Sequence, residues 1–145
     1  GYNYRTTDIA AAILLEQLKK IEEFTTKRIK NAEYLSKGLK GVKGIKTPVV
    51  KYGKHVFHQY TIVVQDSFEI SRDELAIFLK NKGIDTGIYY PTPIHLCTQF
   101  RKLGYKEGDF PISERISKQV ISIPVHPSLT TKELDMIIEV IKEAR

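Results

Sequence analysis

The feature that most constrains this sequence is a helical pattern of apolar residues that extends over more than 30 positions near its start. The residues that share the spacing are Ile9, Ile13, Leu14, Leu18, Ile21, Phe24, Ile29, Ala32, Leu35 and Leu39. Thr7 and Asp8 precede them as an N-cap and a first-turn acid, and the β-branched pair at 25–26 predicts a bend. A helix this long in a chain of 145 residues usually spans two bodies or lies across an interface.

The apolar period changes after Pro48 from that of a helix to that of a strand. The segment VFHQYTIVV at 56–64 alternates and is rich in β-branched and aromatic residues, which predicts a strand. Capping boxes at 71–74 and 130–133 each predict the start of a helix. The expected helices are 7–40, 71–82, 111–119 and 131–144, and the expected strands are 56–64, 84–90 and 120–123. This order predicts an α+β fold, with a long N-terminal helix and further helices packed on a small, largely antiparallel sheet.

Composition narrows the class of protein. A hydrophobic content of 41% with 28% charged residues is ordinary for a globular domain. The longest apolar run, at 9–15, has seven residues, too few to cross a membrane. Cys97 is the only cysteine, so an internal disulfide is excluded and a reducing cytoplasm is the expected compartment. The chain begins at Gly1 and its only methionine is Met136, so we expect that the parent protein has sequence upstream.

The formal charge of +6 is concentrated in one segment. Residues 19–54 contain eleven lysines and arginines against three acids. This excess fits the solvated face of a long helix. It also leaves open a basic nucleic-acid-binding or regulatory module, although no recognition helix is identified and nucleic acid is not the expected partner.

The four histidines are the candidates for chemistry. No pair has the spacing of a helical metal site, so no metal is expected. His55 and His126 are expected to be solvent-facing or satisfied within the fold. His58 and His95 adjoin aromatic, proline-stiffened segments, which are typical of ligand walls. For these two, a binding role and a structural role both remain open.

Four segments resemble the DegT/DnrJ/EryC1/StrS family of sugar aminotransferases. The opening GYNYRTTDIAAAILLEQLKKIEEFTTKR resembles the family's Gly-x-Asn-x-Arg-x-Thr-Asp-x-x-Ala-Ala block and the helix after it. HQYTI, GIDTGIYYPTPIHL and FPISERISKQVISIPVHPSLT resemble later blocks in the same order. The resemblance covers essentially the whole sequence. It implies that residues 1–145 are the C-terminal small domain of a type I aminotransferase dependent on pyridoxal 5′-phosphate.

The resemblance also implies roles for particular residues. Asn3 would hydrogen-bond the cofactor phosphate and Arg5 would lie beside the cofactor or sugar phosphates, since both present N–H donors to anionic oxygens. Tyr89, Tyr90 and His95 match a loop that forms part of the sugar-nucleotide wall, across a homodimer whose subunits share their sites. His58 and Tyr60 match a strand that contacts substrate, with a structural role as the alternative.

One part of the family pattern is missing. The family's cofactor-bearing lysine follows a serine-phenylalanine-histidine type motif upstream of the opening block, and no lysine here has that context. The resemblance therefore implies no catalytic residue in this chain and an inactive fragment on its own. In the parent protein the implied reaction is amino transfer from glutamate to a keto sugar on UDP or dTDP. A dimerisation or substrate-binding module without activity is the other reading.

Overall fold

The computed structural model describes residues 5–144, and its first helices divide the long helical pattern in two. Thr7 caps α1, Asp8–Leu18, by accepting a hydrogen bond from the Ala10 N–H at 3.2 Å. α2 follows as Ile21–Gly38. The single helix expected over 7–40 is wrong, and the break falls at 19–20 rather than 25–26. At Lys20 the backbone N–H bonds the Gln17 carbonyl three residues back, which closes a turn and interrupts the α-helical ladder.

The remaining helices are α3, α4, α5 and α6, at Arg72–Asn81, Thr98–Arg101, Pro111–Gln119 and Thr131–Glu143. Both predicted capping boxes are confirmed: Ser71 with Glu74 opens α3, and Thr130 with Glu133 opens α6. α5 has the predicted bounds. The short α4 and the 3₁₀ turn before it, Ile94–Leu96, were not predicted, because neither is long enough to show a period.

Within residues 5–144, three short strands form one antiparallel sheet. β1, β2 and β3 are Ile45–Lys46, Tyr60–Val64 and Val120–Ile123, in the spatial order β1-β2-β3. β2 begins later than expected. Phe57 has a φ of +46°, a left-handed conformation that no extended strand contains, and its N–H bonds His55 Nδ1 at 3.0 Å. Residues 56–59 therefore lie outside the sheet.

The strand expected over 84–90 is also wrong. In that segment only Gly87 pairs with the sheet, exchanging two backbone hydrogen bonds with Ser122 of β3 at 2.7 and 3.0 Å. Pro91 and Pro93 follow closely and have no N–H to continue a ladder. The segment therefore touches the sheet edge once and then leaves it, which directs the following residues away from the core.

The core lies between this sheet and the packed helices α2, α3 and α6. Its largest fully buried side chains are Tyr60, Leu35, Leu39, Ile62, Leu75, Leu79, Ile121 and Ile141. By contrast, α1 contributes no buried residue, and its large apolar side chains Ile9, Ile13, Leu14, Leu15 and Leu18 are exposed. Across residues 5–144, no helix combines the length and the apolar character needed to cross a membrane.

A tight turn joins α2 to β1. Gly44 lies in this turn with a φ of +81°, and its carbonyl accepts the Gln65 N–H at 2.7 Å. The backbone of Phe68 packs directly against its α-carbon, so that a β-carbon on Gly44 would lie 2.4 Å from the Phe68 nitrogen. Only glycine fits both the conformation and the contact.

Candidate ligand-binding cleft

Several aromatic side chains outside the core surround one open cleft of about 540 Å³. It lies between the segment that leaves the sheet edge, the 3₁₀ turn, α4 and α5. Its aromatic lining consists of Tyr89, Tyr90, His95, Phe100, Tyr105 and Phe110. The three residues predicted for a sugar-nucleotide wall, Tyr89, Tyr90 and His95, are thus brought together in one place.

Phe100, Tyr105 and Phe110 were not predicted as site residues. They belong to α4 and to the charged loop after it, where no regular period marks an aromatic residue as buried or exposed. The available signal was composition, since three aromatic residues within eleven positions are unusual for a solvated loop. Their side chains remain 39–46% exposed, so the cleft presents ring surface to solvent.

Tyr89 and Tyr90 form the most exposed wall of the cleft. Their side chains are 47% and 73% exposed, and their ring centroids lie 5.6 Å apart at 76°. The Tyr89 ring lies directly over Gly87, so that a β-carbon there would come within 2.4 Å of Tyr89 Cε2. Because Gly87 has no side chain, the Tyr89 ring can occupy this space.

We expect Gly87→Ala to move the Tyr89 ring while leaving the fold intact. The new methyl group would overlap an exposed side chain, which can rotate away, and not backbone. In the 145-residue chain, nuclear Overhauser contacts between the Tyr89 ring and residue 87 should be lost, and the denaturation midpoint should stay close to that of the wild type. A Tyr89 ring that keeps its wild-type chemical shifts would contradict this role of Gly87.

His95 lines the cleft and pairs behind it with Glu114, which is only partly exposed. His95 is 7% exposed, and its Nε2 lies 2.9 Å from Glu114 Oε1. The His95 ring also contacts Phe110, with ring centroids 4.8 Å apart. Burial alone would raise the pKa of the Glu114 carboxyl. The hydrogen bonds from His95, Phe110 and Gly108 outweigh burial, so the pKa lies below its usual value and the carboxylate stays ionised at neutral pH.

Glu114 was missed at the sequence level, although one signal pointed to it. An acid in the first turn of a helix opened by Pro111 is expected to interact with nearby N–H groups. Here those groups belong to the preceding loop: Glu114 accepts hydrogen bonds from the backbone N–H of Gly108 and Phe110. The residue therefore joins the loop, the 3₁₀ turn and α5.

The other two candidate wall residues lie elsewhere. Tyr60 is 0% exposed in β2, its hydroxyl lies 2.8 Å from Ser36 Oγ, and burial raises the pKa of that hydroxyl. A group without solvent contact has no surface to offer a substrate, so its geometry supports the structural alternative. His58 is exposed and lines a second, more polar depression with Arg28 and Asp85, on the other side of Tyr89.

The predicted cofactor residues come from the start of the chain. Arg5 is exposed and precedes the α1 N-cap, and it does not line the aromatic cleft. Asn3 lies outside the described residues. The roles of both therefore stay predictions.

Comparison with known proteins gives a consistent result over the whole chain. A model of the DegT/DnrJ/EryC1/StrS aminotransferase family matches residues 1–142. The chain is 40% identical to a pleiotropic regulatory protein of Geobacillus stearothermophilus, over 99% of this chain and 38% of that protein. It is 34% identical to dTDP-3-amino-3,4,6-trideoxy-alpha-D-glucose transaminase of Streptomyces venezuelae, over 99% of this chain and 37% of that enzyme.

Solved structures agree with the sequence comparison. The X-ray structure of S. venezuelae DesV in complex with a ketimine intermediate matches with a TM-score of 0.88 and 31% identity, over 99% of this chain and 38% of that one. The expected α+β architecture is thereby confirmed as that of one part of an aminotransferase. The chain spans a little over a third of the length of the relatives that it matches.

Proposed function

Because this chain belongs to the DegT/DnrJ/EryC1/StrS aminotransferase family, we propose that it is the C-terminal small domain of a cytoplasmic sugar aminotransferase. The parent enzyme depends on pyridoxal phosphate and transfers an amino group from glutamate to a keto sugar carried on UDP or dTDP. The observation that carries the proposal is the aromatic cleft, in which the three wall residues predicted from the sequence meet.

The chemistry of the cleft supports a nucleotide-linked substrate. A volume of about 540 Å³ falls within the range of small-molecule sites. Exposed flat rings such as Tyr89, Tyr90 and Tyr105 offer stacking surfaces to a pyrimidine base or to the apolar face of a sugar. A transaminase that acts on a dTDP-linked sugar is among the relatives. We propose that this cleft forms the outer wall of the sugar-nucleotide site.

The donor groups near the chain start suit the cofactor's phosphate. The Arg5 guanidinium is exposed and free to approach an anion, and the Asn3 amide offers a further N–H donor. When bound, pyridoxal phosphate supplies the electron sink that amino transfer needs. We propose that a large domain of the parent protein supplies the cofactor-bearing lysine. The present chain would then contribute binding residues to a site shared between two subunits of a homodimer.

The decisive test uses the full-length parent protein with bound cofactor. Incubated with glutamate and a panel of keto sugars on UDP and dTDP, it should yield a product in which an amino group and a hydrogen replace the carbonyl oxygen. Mass spectrometry of the sugar and assay of the 2-oxoglutarate formed would detect the reaction. Sugar-nucleotide binding without product would favour a non-catalytic module, and salt-sensitive DNA binding without turnover would favour a nucleic-acid-binding one.

A further inference from the structure

We propose that Glu114 is a positioning residue that holds the two sides of the aromatic cleft together and thereby determines its affinity for the sugar nucleotide. This inference rests on the proposed function, and it adds a residue that does not contact the substrate itself. Glu114 would act through His95 on one side and through the 104–110 loop on the other.

The Glu114 carboxylate accepts hydrogen bonds from both sides of the cleft. Oε1 accepts from His95 Nε2 at 2.9 Å, from the Gly108 N–H at 2.9 Å and from the Phe110 N–H at 3.2 Å. Oε2 accepts a further bond from the Gly108 N–H at 3.0 Å. The Glu114 side chain is 12% exposed, and its bond to His95 is partly buried, whereas the bonds to the loop amides lie nearer the surface. One ionised group thus fixes a side chain and two backbone amides.

The loop has few other hydrogen bonds to the rest of the fold. Within the described part of the chain, residues 105–110 bond otherwise only to one another, as in the Lys106–Asp109 turn, apart from the Phe110 carbonyl, which accepts the Glu114 N–H. Apart from the contact between the Phe110 and His95 rings, the position of the Phe110 and Tyr105 rings, whose centroids lie 6.0 Å apart, therefore depends on the hydrogen bonds to Glu114. Without the Glu114 carboxylate, the loop would keep its local turn but would no longer be held in a fixed position relative to His95.

The loop should affect the binding of one substrate only, the sugar nucleotide. The Tyr105 and Phe110 rings, which Glu114 positions, offer surface to a nucleobase or a sugar ring. The amino donor, free glutamate, contains neither group. A loosened wall should therefore weaken sugar-nucleotide binding in the ground state and the transition state alike. Such a loss raises KM and leaves kcat nearly unchanged.

The test compares variants of the full-length holoenzyme. We expect Glu114→Ala to raise KM for the keto-sugar nucleotide by about tenfold or more, because the side chain accepts several charge-assisted hydrogen bonds. KM for glutamate, kcat and the visible spectrum of the bound cofactor should remain close to wild type. Glu114→Gln keeps an oxygen able to replace Oε1 and should recover most of the affinity. Glu107→Ala removes an acid from the same loop and is the matched control.

Each outcome bears on a different claim. An active wild type whose Glu114→Ala variant keeps its sugar-nucleotide KM would overturn this inference and leave the proposed function standing. An equal loss for both substrates, with a changed cofactor spectrum, would assign Glu114 a general structural role and also overturn it. A wild type that aminates no keto sugar would overturn the proposed function, and this inference with it.

Discussion

Replacing Gly44 with alanine is expected to lower the free energy of unfolding of this chain by roughly 2–5 kcal/mol. Two separate effects contribute. A left-handed backbone at φ +81° costs a residue with a β-carbon about 1–2 kcal/mol. The new methyl group would also lie 2.4–2.6 Å from Phe68 atoms, including its backbone nitrogen and α-carbon, which cannot rotate away. Equilibrium denaturation in urea, followed by circular dichroism, measures the sum.

Gly41→Ala is the matched control for this substitution. Gly41 has nearly the same conformation, with a φ of +83°, but no atom lies within 4 Å of the position of an added β-carbon. It should therefore show only the conformational part of the loss, about 1–2 kcal/mol. The difference between the two variants isolates the contact with Phe68. Equal losses would mean that this contact does not constrain the turn between α2 and β1.

The second large effect is expected at Asn3, which we propose contacts the cofactor phosphate. In the full-length dimer, Asn3→Ala should weaken retention of pyridoxal phosphate by roughly ten- to a hundredfold, the equivalent of one hydrogen bond to a charged group. The thermal midpoint of the apoprotein should hardly change, because the lost partner is a ligand. Equilibrium dialysis of the cofactor measures the affinity, and an unchanged value would remove Asn3 from the site.

Mixing subunits tests whether Asn3 acts across the dimer interface. An Asn3→Ala subunit paired with one that lacks the cofactor-bearing lysine should recover activity. One site of that mixed dimer combines an intact lysine from one chain with an intact Asn3 from the other. Suppose that the subunits are shown to have exchanged and that cofactor binding is weakened, but activity is not restored. Asn3 would then lie in the site of its own subunit.

The elements that the sequence predicted well are those defined by local chemistry. The capping boxes that begin at Ser71 and Thr130 involve only neighbouring residues, and both helices start where the boxes place them. Elements that depend on distant partners were predicted less well. The strand expected over 84–90 has the right residue types, but Gly87 reaches only the edge of β3 before the prolines intervene. The late start of β2 depends on the left-handed Phe57, which no period reveals.

The candidate site was predicted in part for the same reason. Tyr89, Tyr90 and His95 lie close together in sequence, within one of the blocks that resemble the family, and the resemblance assigned them as a group. Tyr60 has the same residue type and a similar strand context, but the alternation of β2 turns it into the core. Glu114 is distant in sequence from His95, and its function follows from a contact between segments, which a sequence alone does not display.

The exposed apolar residues of α1 have a consequence for cooperativity. At 11 residues, α1 is shorter than the length at which isolated helices become stable in water, and it buries no residue within the described fold. The chain as described thus contains one folding unit, from α2 onward, and a helix that can open by itself at little cost. Stable helix formation in α1 must therefore be coupled to covering its apolar side chains. In the proposed enzyme, formation of a stable α1 would indicate that the small domain has packed against the rest of the protein.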